Sequence, residues 1–374
     1  MKYIEIENPN GTTYIRKDKL EALARVDTIV FDCDGVLLDV RNAYNVGIAV
    51  TTQCIIEAFT GTKIPESIFD STLNHAYKRT GGFNNDWTHA YAVIMRILAE
   101  TPEEKLVELN KYAKESLVYD SPRQRYDGIA GKVKAEIPVD GLYDKLAEFA
   151  TQLDASGIEK VDELLLDKVG VNIKKALKFR ADVGESIVST LFEELFLGTE
   201  LFTETFGYPP QFVQVEHGIV EADEVVIKPE TLNMLQEILG GPRFGVASGS
   251  MENTARHALG SIVDMFPKNS QYWHDVVERD QKKLGVNDLH KPNPYPLKKA
   301  AEPFNPEKVL YIGDTMADYL TAENAGEDVL FTGVYASVHS SDKVKQSFIE
   351  LGSDIVAPTV NEIPAALLYA REEK

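Results

Sequence analysis

The chain has 374 residues, 44% apolar and 26% charged, enough for roughly two to three domains with buried cores. A formal net charge of −20 disfavours electrostatic binding to nucleic acid or to an anionic membrane. Two cysteines, Cys33 and Cys54, argue against a disulfide framework and point to a reducing compartment. With no apolar leader and no run of about 18 apolar residues, the expectation is a soluble, cytoplasmic protein.

Two short segments, Tyr3–Glu7 and Thr12–Arg16, flank N-P-N-G and predict a hairpin, because Asn-Gly is a strong turn signal. A short helix over 17–25 follows. This N-terminal extension, residues 1–25, reads as a decoration without chemistry of its own. The apolar run Ile29–Phe31 then predicts a buried strand over 27–32. It delivers Asp32 and Asp34, two residues apart and so on one side of an extended segment, before Gly35 turns the chain. Like charges side by side are costly without a cation or proton between them. A plain acidic turn is the alternative, since D-G is a common turn pair.

From 41 to 221 helical periodicity dominates, in Ala43–Phe59, Asp86–Leu98, Glu103–Leu117, Leu142–Leu153, Lys160–Val169 and Ser186–Phe196. This predicts a helical domain inserted after the first strand, with residues 120–185 as a candidate extra subdomain. From 222 onwards strands and helices alternate: strands at Arg243–Ala247, Val309–Ile312, Val329–Thr332 and Asp354–Ala357, and helices at Glu230–Leu239, Glu252–Leu259, Pro294–Ala301, Ala317–Ala325, Asp342–Leu351 and Val360–Arg371. Such alternation implies right-handed crossovers and a parallel sheet covered on both faces. The core domain is therefore split, 1–40 plus 222–374.

Three polar features sit at or near the strand ends of the resumed domain. Ser248-Gly249 follows the strand 243–247 directly before a helix, where a hydroxyl and free backbone N–H groups suit a phosphate; Ser is also a favoured N-cap. Lys291 lies in the proline-stiffened H-K-P-N-P-Y-P loop, although a lone loop lysine is usually just solvated. Y-I-G-D-T-M-A-D places Asp314 and Asp318 four residues apart on an opening helical turn, hence on one side, where either could serve only as a helix cap. Four carboxylates, a hydroxyl and an ammonium describe a hard-cation site facing a phosphate site, and Mg²⁺ suits oxygen ligands of this kind.

With these residues in order, the chain resembles phosphatases of the haloacid dehalogenase superfamily, in the subfamily (I, with a C1 cap) whose helical cap follows the first core strand. D-C-D-G-V-L-L-D, including Asp39, matches that family's first motif. Ser248, Lys291 and G-D-T-M-A-D match the second, third and fourth in order and spacing. The resemblance covers the core and the location of the cap, not the cap's sequence. It implies an α/β fold with a Rossmann-like three-layer core, a parallel sheet and a large inserted α-helical cap. It also implies Asp32 as nucleophile, Asp34 as general acid/base, and Ser248 with the Gly249 N–H as phosphate holders. Lys291 would neutralise nucleophile and phosphoryl group. Mg²⁺ would be held by Asp32, the Asp34 carbonyl and Asp314, with Asp318 acting directly or through water.

The reaction implied is Mg²⁺-dependent hydrolysis of a small phosphorylated metabolite, such as a sugar phosphate or a phosphoglycolate-like acid, through an aspartyl-phosphate. The cap is expected to close over the core and exclude water. A phosphomutase of the β-phosphoglucomutase type shares the same core, and a non-catalytic binding protein of this fold is a further alternative. An acid at position 34 favours phosphoryl transfer over dehalogenation by the family pattern. Substrate choice is assigned to K-R-T-G-G-F-N-N-D-W in the cap, with Gly82, Asn84, Asn85, Asp86 and Trp87 as candidate specificity residues; a helix-to-helix turn capped by Asp86 is the alternative. His75 and His89 read as surface or packing residues, and no His/Cys spacing suggests zinc.

Overall fold

The computed structural model describes residues 2–83, 85–337 and 341–373. The chain divides into two compact units, residues 1–41 with 223–374, and residues 42–222.

Among the described residues the first unit holds ten strands: β1 (Tyr3–Asn8), β2 (Gly11–Arg16), β3 (Thr28–Phe31), β4 (Leu38–Asp39), β5 (Glu224–Val225), β6 (Phe244–Ala247), β7 (Gln271–Tyr272), β8 (Val309–Gly313), β9 (Val329–Val334) and β10 (Ile355–Ala357). Eight of them form one sheet in the order β1-β2-β10-β9-β8-β3-β6-β7. The six strands from β10 to β7 run parallel. Each of β3, β6 and β8 is buried along its whole length, as their continuous apolar runs require when helices cover both faces.

The N-terminal hairpin is not a decoration. Strand β2 pairs antiparallel with β10, Ile355 opposite Ile15 and Val356 opposite Tyr14, so the hairpin extends the main sheet and makes it mixed. Ile15 is fully buried and the Tyr3 hydroxyl donates to the Ser353 carbonyl at 2.8 Å. The reason is the open side of β10, whose unpaired backbone groups the hairpin satisfies. At the opposite edge, β7 is only two residues long and leads into the helix His274–Leu284.

Register positions the site. Phe31 lies opposite Ile312 in β8 and opposite Val246 in β6, and Ala247 opposite Tyr272 in β7. The strands therefore end level, and the residues that follow them emerge along one carboxyl edge. The chain leaves this unit and returns through a separate two-stranded ladder, in which Leu38 pairs with Val225 and Asp39 with Glu224, antiparallel.

The second unit is helical. One buried apolar cluster runs from Ala43 to Val220 and includes Ile129, Leu146 and Leu165, so residues 120–185 share a single core with the rest of the unit. The helices that periodicity predicts are joined by three short ones, Ser71–Lys78, Pro122–Ile129 and Val171–Leu177, each of at most eight residues and so carrying little periodic signal. The helix starting at Ile187 continues past Gly198, where the backbone turns to φ 75°, as far as Phe206. Among the described residues no helix is long and apolar enough to cross a membrane.

Candidate active site

Asp32 directly follows β3 and is 6% exposed. Its Oδ1 accepts from the Cys33 backbone N–H at 2.8 Å and lies 2.9 Å from the Lys291 ammonium. The same Lys291 Nζ donates to Asp318 Oδ1 at 2.6 Å. Lys291 thus joins the end of β3 to the helix Met316–Ala325 after β8. That lone loop lysine is not simply solvated; its ammonium pairs with the buried carboxylates of Asp32 and Asp318.

Asp318 is fully buried and closely engaged. Its Oδ1 also accepts from the Tyr311 hydroxyl at 2.8 Å, and its Oδ2 from the Thr315 backbone N–H at 3.1 Å and hydroxyl at 2.5 Å. The Thr315 side chain in turn accepts from the Asp318 N–H, closing a capping box. Both readings of Asp318 therefore apply: it caps its helix, and it holds Lys291. Two glycines make the approach possible. A Cβ on Gly313 would lie 2.3 Å from the Asp318 Cβ, and one on Gly35, whose φ is +74°, would lie 2.0 Å from Asp314 Oδ2.

Asp32, Asp314 and Asp318 can each point an oxygen so that all three lie within 4.8 Å of one another. Asp34 sits on the turn beyond β3, where Gly35 N–H donates to the Leu38 carbonyl at 2.8 Å. Ser248 follows β6 and is 5% exposed; its Oγ lies 3.0 Å from the Ser250 hydroxyl and accepts from the Ser250 N–H at 3.2 Å. A Cβ on Gly249 would meet nothing within 4 Å, so close packing does not explain the glycine there. All the core residues singled out by sequence lie on the carboxyl side of β3, β6 and β8 or in the loop that brings Lys291 to them.

The sequence matches the haloacid dehalogenase-like hydrolase family over residues 26–326. The chain belongs to this family. No curated protein matches the sequence. Among solved structures, an X-ray structure determined as a Northeast Structural Genomics Consortium target is similar, with 18% identity and a TM-score of 0.59, covering 93% of this chain and 100% of that one. A haloacid dehalogenase-like hydrolase from Bacteroides fragilis shows 17% identity and a TM-score of 0.38, with 90% and 99% covered. A haloacid dehalogenase-like protein of unknown function from Agrobacterium tumefaciens shows 15% identity and a TM-score of 0.40, with 92% and 98% covered. At these identities the likeness of the first extends to the fold.

The electrostatics of this hydrolase site are set by crowded acids. Burial pushes the Asp32 carboxyl up to about 7, with the Asp318 and Asp34 charges adding to the rise and Lys291 opposing it. Burial, then Asp318 and Asp32, push Asp314 well above the usual carboxylate range. Burial opposes ionisation of Asp318 too, but Lys291 and the donors on Thr315 and Tyr311 outweigh it and hold this carboxyl low. For Lys291, burial works against the charge, yet Asp318 and Asp32 keep its ammonium well above its ordinary value.

Sequence reasoning missed three participants. Tyr311 reads as an ordinary core residue of β8, and Thr315 as a simple cap. Asp223 lies far along the chain, where nothing local marks it; burial, then Asp34 and Asp39, raise its carboxyl to about 8. The excess of carboxylates over cations, all with oxygen donors, fits a hard divalent cation better than a soft one. With three oxygens able to converge, the residues present fit such an ion.

In the helical unit, four of the residues assigned to specificity, Gly82, Asn85, Asp86 and Trp87, have structural partners of their own. A Cβ on Gly82 would lie 2.6 Å from the Asp154 carbonyl and the Gly157 backbone. The helix Asp86–Leu98 is capped by Asn85, whose Oδ1 accepts from Trp87 and Thr88 N–H groups at 2.9 and 3.2 Å. Asp86 is thus the first helical residue, not the cap, and pairs with Lys78 at 3.3 Å. The Trp87 indole N–H donates to Glu193 at 2.8 Å. Gly82, Asn85 and Trp87 also line an open cleft of about 320 Å³ with Ser156, Phe179 and Arg180. Asn84 lies outside the described residues. His89 is a packing residue, fully buried and stacked 4.4 Å from Tyr77.

Proposed function

We propose that this hydrolase is a phosphatase that cleaves small phosphate monoesters through a covalent phosphoryl group on Asp32. The observation that supports it most is the sharing of Lys291 between Asp32, at 2.9 Å, and Asp318, at 2.6 Å. A carboxylate that must attack an anionic phosphoryl group needs a fixed positive charge against it, and Asp318 fixes this one.

In the first step an Asp32 oxygen attacks phosphorus, the ester P–O bond breaks, and Asp34 gives its proton to the departing oxygen. In the second, Asp34 takes a proton from water as the water oxygen attacks phosphorus, the bond to Asp32 breaks, and inorganic phosphate leaves. Ser248 and the Gly249 N–H orient phosphoryl oxygens in both steps. Asp32, Asp314 and the Asp34 carbonyl would hold Mg²⁺, with Asp318 at one remove because Lys291, Tyr311 and Thr315 already engage its oxygens. Bound there, the ion supplies neutralisation of the phosphoryl charge. Discrimination among sugar phosphates and phosphoglycolate-like acids is assigned to the cleft beside Gly82 and Trp87.

The test is Asp32→Asn assayed for release of phosphate from p-nitrophenyl phosphate with Mg²⁺. Loss of turnover by at least about a thousandfold, at unchanged circular dichroism, is the expected result. Acid-quenched wild-type protein should carry a covalent phosphoryl group that the variant lacks. A variant retaining most of its activity would sink the mechanism.

A further inference from the structure

Among the described residues, two groups of three side chains can converge their donor atoms within 4.8 Å. One is the Asp32 cluster. The other has different chemistry and a different place: His274, Glu278 and His290. His274 opens the helix His274–Leu284 immediately beyond the edge strand β7. Glu278 is one turn further along the same face. His290 comes from the loop after that helix and folds back on it. Its ring stacks on that of His274, with centroids 4.7 Å apart and planes 18° from parallel, and its Nε2 lies 2.7 Å from Glu278 Oε1.

We propose that His274, Glu278 and His290 form a binding site for a transition-metal cation, with Zn²⁺ as the best-suited ion. Two imidazoles and one carboxylate are a borderline-soft set, which suits zinc where an all-oxygen cluster suits magnesium. Three protein ligands leave a fourth, tetrahedral position for water or another small ligand. Ligand atoms of a tetrahedral zinc centre stand about 3.3 Å apart, from bond lengths of about 2.0 Å, so side-chain rotation within the observed cluster closes the site.

A further feature supports it. Gln281 Nε2 donates to Glu278 Oε1 at 3.0 Å while its Oε1 accepts from the Leu289 N–H at 2.8 Å. This one buried amide therefore orients the carboxylate ligand and anchors the loop carrying His290, the work expected of an outer partner at a metal site. No spacing rule in the sequence reveals the trio, because the third ligand stands twelve residues from the second and meets it only through the fold. The ion would join the segment just before Lys291 to a helix whose first backbone N–H already bonds the Ser250 carbonyl at 3.0 Å.

The experiment is calorimetric titration of the metal-free full chain with Zn²⁺ alone, on wild type and on His274→Ala, His290→Ala, Glu278→Gln and Asp314→Asn. Wild type should take up zinc in a stoichiometry that falls by one ion per chain, or weaken at least about tenfold at that site, in each of the first three variants. Asp314→Asn, which alters the oxygen cluster, should keep that ion. Co²⁺ in place of Zn²⁺ should give the intense visible bands of tetrahedral coordination in wild type and Asp314→Asn only. Zinc uptake unaffected by the two histidine substitutions, or no uptake by wild type, overturns the proposal. Should an alanine variant not fold, the near-isosteric Glu278→Gln and the cobalt spectrum of wild type decide on their own: an octahedral spectrum, or binding untouched by the substitution, overturns it equally.

Discussion

Asp318 takes no part in the proposed bond-making, yet it anchors the lysine that faces the nucleophile. Its four donors, from Lys291, Tyr311 and Thr315, are shared two to each oxygen. Asp318→Asn would turn an amide donor towards one of them. The expected cost is about 2 to 3 kcal/mol of stability, the range for lost bonds to charged groups, read as a lower urea midpoint. Turnover should fall with it, because Lys291 loses its second anchor. Tyr311→Phe removes a single donor to that carboxylate and should cost about 1.5 kcal/mol, the low end for hydrogen bonds to charged groups. If Asp318→Asn were as mild as Tyr311→Phe, the oxygens would not be engaged as described. At this scale the acids were legible, because two carboxylates two or four apart after an apolar run make an unusual pattern. Tyr311 and Asp223 were not: one hides in a strand that would be apolar anyway, and the other reaches its neighbours from some 190 residues away in number, Asp223 against Asp34.

At the level of elements, the helix Asp86–Leu98 shows how a single frame shift changes a reading. Asn85, with φ −92° and ψ 128°, holds the extended conformation of an N-cap, and Asp86 enters the first turn, where its charge suits the helix dipole. Asn85→Ala should lower stability by about 1 kcal/mol, seen in thermal or urea unfolding, before any effect on substrate ranking is counted. On the same helix, His89 is buried with no hydrogen-bond partner for either ring nitrogen among the described residues. Burial, then Lys78, lower its ring to about 3. The unfolded chain therefore binds this proton first as pH falls below about 6.5, and stability is lost from there towards 3, at up to about 1.4 kcal/mol per pH unit. Glu193, raised to about 7 by burial, slopes the opposite way from its ordinary value upward. The clean measurement is thus a comparison. The drop in urea midpoint between pH 7.5 and pH 5 should be smaller in His89→Phe than in wild type, and an equal drop would show that His89 is not titrating. The hairpin and the long helices were legible from turn chemistry and periodicity. The hairpin's destination was not, since pairing with β10 depends on which sheet edge lies open.

Across the whole molecule, the separation into an alternating core and a helical insert follows from the change in periodicity near residue 41 and its reversal near 222, within a residue of where the compact units divide. What periodicity could not supply was assembly at a distance: the level strand ends that gather Asp32, Ser248 and Asp314, and the loop that carries both His290 and Lys291. Those depend on β-strand register, which sequence patterns constrain only through which face is buried.

The small ladder of β4 and β5 has a consequence for how such a chain can arise and be altered. Because Asp39 and Glu224 are paired partners, everything between them stands in the position of a hairpin loop. Closing a loop of any size at a fixed pair of ends costs only slowly more with length. Residues 42–222 can thus be regarded as cargo at a splice point, exchangeable for a short turn or for another helical module without redrawing a single strand of the main sheet.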